Sequence, residues 1–179
     1  MSNYLAIQSS FQPEELVIET EGNIFLHKFS ETEKPAENLA KVTSAIFSKN
    51  NLKVDNLDFV IVTTGPGSFT GLRVGIAYAK SLVQFNKNIK LIGLNLLQVA
   101  KWKFGKDSYL DARNNRSFIL ENDKLVVKNN SEIAEFENFV NANTLNANDL
   151  IDYVKNNAVA EVTNFYEFLP DYVLEPRIG

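Results

Sequence analysis

The order of the predicted secondary-structure elements indicates an α/β fold with two lobes. Three strands followed by a helix, a strand and a helix occur in the first hundred or so residues, and a weaker copy of this order follows. The apolar run 59–62 is typical of a strand that is buried on both faces of a parallel sheet. A content of 45 % apolar and 22 % charged residues is ordinary for a packed globular protein. We therefore expect a duplicated βββαβα fold, with one lobe at residues 1–104 and a reduced second lobe at residues 105–179.

Each element of the first lobe is predicted by a local pattern. The turn signal Glu21-Gly22-Asn23 separates the second and third strands, which favours a hairpin. Pro35 suits the first position of a helix, and apolar residues then recur at helical spacing up to Asn50. The predicted strands are 4–10, 14–20, 24–29, 58–64 and 90–94, and the predicted helices are 35–50, 68–86 and 96–103.

The second lobe repeats the opening order with weaker signals. Asn122-Asp123 indicates a hairpin turn, whereas the Asn-rich segments that follow offer few periodic apolar positions. The predicted strands are 109–112, 117–121, 124–127 and 158–162, and the predicted helices are 131–141 and 146–155.

The composition excludes several classes of function. Without cysteine the chain has no disulfide, thiolate zinc site or cysteine nucleophile. No apolar run is long enough to span a bilayer and no secretory signal is visible, so we expect a cytoplasmic protein without a membrane partner. The net charge is −4 and no Lys/Arg cluster occurs, whereas proteins that hold nucleic acid alone usually present a basic face. In an RNA process, we expect a partner to hold most of the RNA.

Residues 65–75 form the most specific motif, a glycine turn between a strand and a helix. The N–H groups at such a helix start can bind an anion, with Gly67 and Ser68 at the centre. However, no lysine follows Gly71 as a phosphate loop requires, and the third glycine is one residue late for the dinucleotide fingerprint. Phosphate binding is therefore one of two open interpretations.

The second interpretation concerns close packing. Gly67, Gly71, Gly75 and Ala79 are four residues apart and lie on one face of the predicted helix. Small residues on a helix face allow another backbone to approach closely. This packing would offset the cost of glycine, about 1 kcal/mol per interior helical position. The sequence leaves open whether the close neighbour belongs to this chain or to a partner.

The glycine segment resembles a hallmark of a known family. Residues 65–75, G-P-G-S-F-T-G-L-R-V-G, followed by Ala79-Lys80-Ser81-Leu82, are similar to the corresponding segment of the TsaB (YeaZ) family. Shorter similarities occur in the same order as in the family, at the start of the first strand, at a D-A-R motif and at a closing P-x-Y-L stretch: Leu5-Ala6-Ile7, Asp111-Ala112-Arg113, and Pro170, Tyr172 and Leu174. The resemblance covers residues 1 to about 120 and then only the tail.

The resemblance implies an actin/Hsp70-like fold and a non-catalytic role without a cofactor. It implies that the chain pairs with the catalytic paralogue TsaD, works with the ATPase TsaE, and forms a homodimer when alone. TsaD transfers a threonylcarbamoyl group to an adenosine beside the tRNA anticodon, so the chain would meet tRNA only through the complex.

The resemblance also implies that the first two helices form the pairing surface. This places eight residues at or beside a partner interface, with core packing as the alternative for the larger ones: Leu39, Val42, Ile46, Gly71, Leu72, Gly75, Ala79 and Leu82. Asp111 and Arg113 are expected either to line the cleft between the lobes or to stabilise a β-turn.

Two departures from enzymes of this fold oppose the main alternative, a small kinase or ATPase that uses the glycine segment as a phosphate cradle. Actin-like ATPases place an aspartate after the first strand, where this chain has the neutral Gln8, a poor ligand for Mg²⁺. His27 is the only histidine, so the paired-histidine metal site of TsaD-like proteins and the H-E-x-x-H motif of metalloproteases are both missing.

Overall fold

The computed structural model describes residues 2–30, 32–86, 88–133 and 135–172. A five-stranded sheet has the order β3-β2-β1-β4-β5, in which β1 pairs antiparallel with β2 and parallel with β4. Its strands are β1 (Tyr4–Gln8), β2 (Glu15–Thr20), β3 (Asn23–Lys28), β4 (Phe59–Gly65) and β5 (Lys90–Asn95). The helices of this half of the chain are α1 (Pro35–Lys49), α2 (Phe69–Gln84) and α3 (Leu96–Phe104).

A four-stranded sheet of order β8-β7-β6-β9 follows. Its central strand β6 pairs antiparallel with β7 and parallel with β9, as β1 pairs with β2 and β4 in the first sheet. The elements are β6 (Ser108–Asp111), β7 (Arg116–Glu121), β8 (Lys124–Asn129), β9 (Val140–Asn141) and α4 (Ala147–Asn156). The shared strand order and directions show the expected duplication.

The first sheet is covered on both faces. Leu5 and Ile7 of β1 pack into a cluster with α1 and α2, whereas Tyr4 and Ala6 pack into a cluster with α3 and α4. All five residues of β1 are buried, because a central strand covered on both sides offers no face to water. The α/β class predicted from the apolar run in β4 is therefore confirmed.

Two predicted elements of the second half are wrong. Residues 131–141 do not form a helix: the described part contains two single 3₁₀ turns, Asn130–Glu132 and Phe136–Asn138, and the short β9. Polar side chains bond to the backbone locally here, as when the Glu132 carboxylate accepts from the Asn129 N–H at 3.3 Å, and this competes with a continuous helix. Residues 158–162 form no strand but an irregular stretch.

The last helix belongs to the core of the first sheet. Its first N–H, that of Ala147, donates to the buried Glu15 carboxylate of β2 at 2.9 Å. The Lys155 ammonium lies 2.6 Å from the Glu19 carboxylate on the same strand. The two halves of the chain are thus joined by buried contacts, and the boundary between residues 104 and 105 stays a prediction.

None of the helices in the described ranges has the length and apolar character needed to cross a bilayer.

Candidate functional site

The glycine segment forms the junction between β4 and α2. Ser68 is the N-cap of α2, and its Oγ accepts a hydrogen bond from the Gly71 N–H at 3.2 Å. The Ser68 N–H donates to the carbonyl oxygen of Ser10 at 2.7 Å. The junction is therefore tied to the loop between β1 and β2.

The glycine face of α2 packs against that same loop. A Cβ on Gly67 would come within 3.0 Å of the Ser10 carbonyl oxygen, and one on Gly71 would do so at the Ser9 carbonyl oxygen. A Cβ on Gly75 would meet the Ser9 hydroxyl. The close neighbour that the sequence left open lies within this chain, because Gly67, just before α2, and the first two turns of α2, at Gly71 and Gly75, all leave space for residues 9–10.

Gln8 organises the β1–β2 loop from inside. Its Nε2 donates to the carbonyl oxygens of Phe11 and Pro13 at 3.3 and 3.1 Å, and its Oε1 accepts from the Ser10 N–H at 2.7 Å. The residue is fully buried, so both ends of the amide are used within the loop. Gln8 is therefore a structural amide of the β1–β2 loop.

A cavity of about 690 Å³ lies between the glycine junction and the β6–β7 loop. The two candidates for anion binding, Gly67 and Ser68, and the two candidates for the cleft, Asp111 and Arg113, all line it. Asp111 also stabilises the β6–β7 turn, because its Oδ1 accepts from the Arg113 N–H at 2.9 Å. The two alternatives stated for Asp111 and Arg113 therefore coexist in the geometry.

The charges around the cavity are predominantly negative. Among its described lining residues, Glu14, Asp111 and Asp171 are carboxylates and Arg113 is the one cation. The Glu14 carboxylate lies against the first turn of α2, since a Cβ on Gly71 would be 3.0 Å from its Oε1. Burial raises the pKa of Glu14, and a hydrogen bond from Gln12 opposes this effect. A phosphate group in this cavity would meet Glu14 at the helix start and share the cavity with two further carboxylates and one cation, which disfavours the phosphate-cradle interpretation.

No group of three or more His, Asp or Glu side chains suited to a metal ion occurs in the described ranges. His27 lies on the edge strand β3, with its Nε2 3.6 Å from the Glu33 carboxylate and its ring 4.7 Å from that of Phe29. The single histidine is therefore a half-buried residue of an edge strand.

The eight residues assigned to a partner interface are turned partly or wholly inward. Five of them are buried within the chain, namely Leu39, Gly71, Leu72, Gly75 and Ala79, and three are half-buried, namely Val42, Ile46 and Leu82. The exposed surface of the α1–α2 pair consists of intervening positions with mostly small side chains, including Ala40, Ser44, Arg73, Ala77 and Ser81. Within each helix these residues are four positions apart, and this helical spacing is the signal that could have found them. A partner interface on these helices stays a prediction.

Asp171 and Tyr172, the last described residues, also line the cavity. Sequence reasoning named Tyr172 but not Asp171. Pro170 is buried, and the Tyr172 ring lies 4.9 Å from that of Phe69 at the start of α2. Asp171, between them, was not singled out, although it is the variable position of the P-x-Y-L stretch. Leu174, the last residue of that stretch, lies outside the described residues.

Comparison with known proteins identifies a family. The family model of TsaD, tRNA N6-adenosine threonylcarbamoyltransferase, matches residues 32–168. The tRNA N6-adenosine threonylcarbamoyltransferase of Clostridioides difficile is 37 % identical over 65 residues, which cover 36 % of this chain and 19 % of that protein. The uncharacterized protein MG208 homolog of Mycoplasma pneumoniae is 29 % identical over 114 residues, covering 56 % of this chain and 58 % of that protein. The chain spans less than two thirds of the length of the curated relatives it matches.

A solved structure shares the fold. YeaZ from Pseudomonas aeruginosa matches with a TM-score of 0.72 at 17 % identity, covering 97 % of this chain and 100 % of that chain. The expected two-lobed, actin-like α/β fold is thereby confirmed, and it is the fold that YeaZ adopts. Because the family model matches well over half of the residues, the chain belongs to the family of TsaD, tRNA N6-adenosine threonylcarbamoyltransferase.

Proposed function

We propose that this chain is a non-catalytic subunit that pairs with a TsaD-type catalytic protein during threonylcarbamoyladenosine modification of tRNA. One observation supports the proposal: the side chains beside the glycine junction are poorly suited to holding a phosphate group and its metal ion. The Gln8 amide is used entirely within its own loop, and the Glu14 carboxylate lies at the start of α2. A subunit that does not bind phosphate or metal can still act by assembling with a partner.

The proposed contact surface is the outer face of the α1–α2 pair. Ala40 and Ser44 on α1 and Ala77 and Ser81 on α2 are exposed and small, which allows a partner helix to approach closely. Arg73, near the start of α2, adds one positive charge to this face. The same face would serve a homodimer in the absence of the partner. The proposal includes TsaE as the associated ATPase, tRNA as an indirect partner and the cytoplasm as the compartment.

The first experiment is co-purification with the TsaD protein of the same organism on a sizing column. The informative variant is Ala77→Glu, because residue 77 is exposed and its substitution leaves the contacts between α2 and the β1–β2 loop intact. Gly75 is a poor probe, since any side chain there meets Ser9 of the same chain. The matched control is Ala160→Glu, an identical change at an exposed position outside the two helices.

We expect wild type and Ala160→Glu to form the complex and Ala77→Glu to lose it while remaining folded by circular dichroism. A complex that survives Ala77→Glu would refute the contact surface. Failure of wild type to bind, together with ATP turnover by the isolated chain, would refute the scaffold role and favour the kinase or ATPase alternative.

A further inference from the structure

The last described part of the chain returns to the first sheet after α4. The Val162 N–H donates to the Leu91 carbonyl oxygen of β5 at 2.8 Å. Residues 164–172, which we call the closing segment, then follow β5 towards its carboxyl end. Phe165 and Phe168 pack against the cluster that α1 and α2 form with the sheet. The closing segment therefore lies along β5, with its phenylalanine rings on the face of the sheet that carries α1 and α2.

Two glycines provide the space in which the closing segment lies. A Cβ on Gly93 of β5 would be 2.5 Å from the Phe168 ring, and a Cβ on Gly65 at the end of β4 would be 3.2 Å from the Asp171 carbonyl oxygen. The Phe168 ring is also 5.8 Å from the Lys80 ammonium of α2. The closing segment can therefore approach β4 and β5 closely because both strands have a glycine at the point of contact.

Asp171 occupies the carboxyl end of the sheet through hydrogen bonds. Its backbone N–H donates to the Thr64 carbonyl oxygen at 2.7 Å, and its Oδ2 accepts from the Thr64 hydroxyl at 2.7 Å. The Asn95 side-chain amide approaches the same oxygen at 3.4 Å. In open α/β sheets, ligands bind in the crevice outside the carboxyl ends of the strands. The Asp171 carboxylate of the chain itself occupies the position at which a ligand binds in such sheets.

The closing segment also divides the space between the two sheets. Asp171 and Tyr172 line the cavity of about 690 Å³ beside the glycine junction and a second one of about 560 Å³ beside β5 and the β7–β8 hairpin. Gln98 and Asp123 lie on the far side of the second cavity. A molecule that reached from one cavity to the other would have to displace Asp171 and Tyr172.

We propose that the closing segment is a detachable strap that occupies the cleft in the isolated chain and opens locally, without unfolding of the sheet. Its outward side chains are largely free of contacts: Tyr166 is 96 % exposed and Leu169 is 62 % exposed. Its end is held by the few polar contacts of Asp171 and by the ring contact of Tyr172 with Phe69. Its buried contacts are limited to Phe165, Phe168 and Pro170, and segments with few buried contacts open at a lower free energy than the core strands of the same protein. Opening joins the two cavities into one binding site.

The test is hydrogen exchange of the full chain, read by mass spectrometry for residues 164–172 and for the interior of β4. Asp171→Ala removes the acceptor, Thr64→Val removes the donor, and the double variant combines them. Tyr166→Ala is the control, because it changes an exposed side chain of the same segment. We expect the wild-type segment to be protected relative to an unstructured peptide but to exchange at least about tenfold faster than β4. Each single variant should speed exchange of the segment by about tenfold, and the double variant by no more than either one.

Three results would overturn the proposal. Exchange of residues 164–172 only together with β4 would show that the segment is an integral part of the core. Exchange at the rate of an unstructured peptide would show that the segment does not occupy the cleft. Rates in Asp171→Ala and Thr64→Val equal to that of Tyr166→Ala would show that this contact does not hold the segment.

Discussion

The carbonyl oxygen of Ser9 lies so close to the Cα of Gly71 that a Cβ there would come within 3.0 Å of it. The contact joins the loop after β1 to the first turn of α2. Since the oxygen belongs to the backbone, it cannot move away without distorting the loop that Gln8 organises. Gly71 therefore serves the internal packing of the chain, whatever the outer face of α2 binds.

The first prediction concerns Gly71→Ala. Alanine is favoured over glycine in a helix by about 1 kcal/mol, but here its Cβ would overlap backbone atoms, and overpacking typically costs about 1–3 kcal/mol. We expect a net loss of about 1–2 kcal/mol in the free energy of unfolding, measured by urea denaturation. Ser9→Ala should not restore it, because the overlapping atom is a carbonyl oxygen. A variant at least as stable as wild type would contradict the packing argument.

The second prediction contrasts Gly75→Ala with the same change in a Ser9→Ala background. The atom nearest to a Cβ on Gly75 is the Ser9 hydroxyl oxygen, which the second substitution removes. We expect Gly75→Ala alone to destabilise the fold and the double variant to recover about 1 kcal/mol relative to the sum of the single changes. Thermal or urea unfolding of all four proteins measures this coupling. Strict additivity would show that the hydroxyl is not the obstacle.

The third prediction concerns Glu15, which connects β2 to α4. Its side chain is almost fully buried, accepts from the Ala147 N–H at 2.9 Å and lies 2.7 Å from the Lys28 ammonium. Glu15→Ala leaves a buried N–H without its acceptor, so we expect a loss of about 2–3 kcal/mol in the free energy of unfolding. Glu161→Ala is the control, since this carboxylate is half exposed and 3.9 Å from its lysine, and should cost less than about 0.5 kcal/mol. Equal effects of the two changes would contradict the assigned role.

The fourth prediction is a pH dependence due to Glu14. Burial raises its pKa in the folded state, so the carboxylate form is less favourable there than in the unfolded chain. The stabilisation from this group is fully present below the unfolded pKa and is lost as the pH rises through the higher folded pKa. We therefore expect Glu14→Gln to increase the free energy of unfolding at about pH 7, with a smaller gain or none at about pH 4.

Urea denaturation of wild type and Glu14→Gln at the two pH values measures this difference. The exposed Glu161→Gln serves as the control for a general charge effect. A gain from Glu14→Gln that is equal at both pH values would contradict the link to ionisation.

Several elements could be predicted because their signals are local. The α1 start at Pro35, the Ser68 cap of α2 and the turn before β3 each depend on neighbours a few positions away. The predicted helix over 131–141 failed because Asn129, Asn130 and Asn141 supply hydrogen bonds that compete with a helix. The predicted interface residues on α1 and α2 lie at buried or half-buried positions, because small and apolar residues mark internal packing and partner contact alike.

By itself, the sequence determined the two-lobed α/β class, most strand and helix positions, and the glycine face of α2, since these follow from periodicity and turn chemistry. Only the tertiary structure decided what lies against that face, which carboxylates line the cavity and where residues 164–172 lie. The physical reason is that these contacts join residues that are far apart in the sequence. Ser9 and Thr63 are 54 positions apart, and Thr64 and Asp171 are 107 positions apart. No local pattern encodes such pairs, because packing of the whole sheet brings them together.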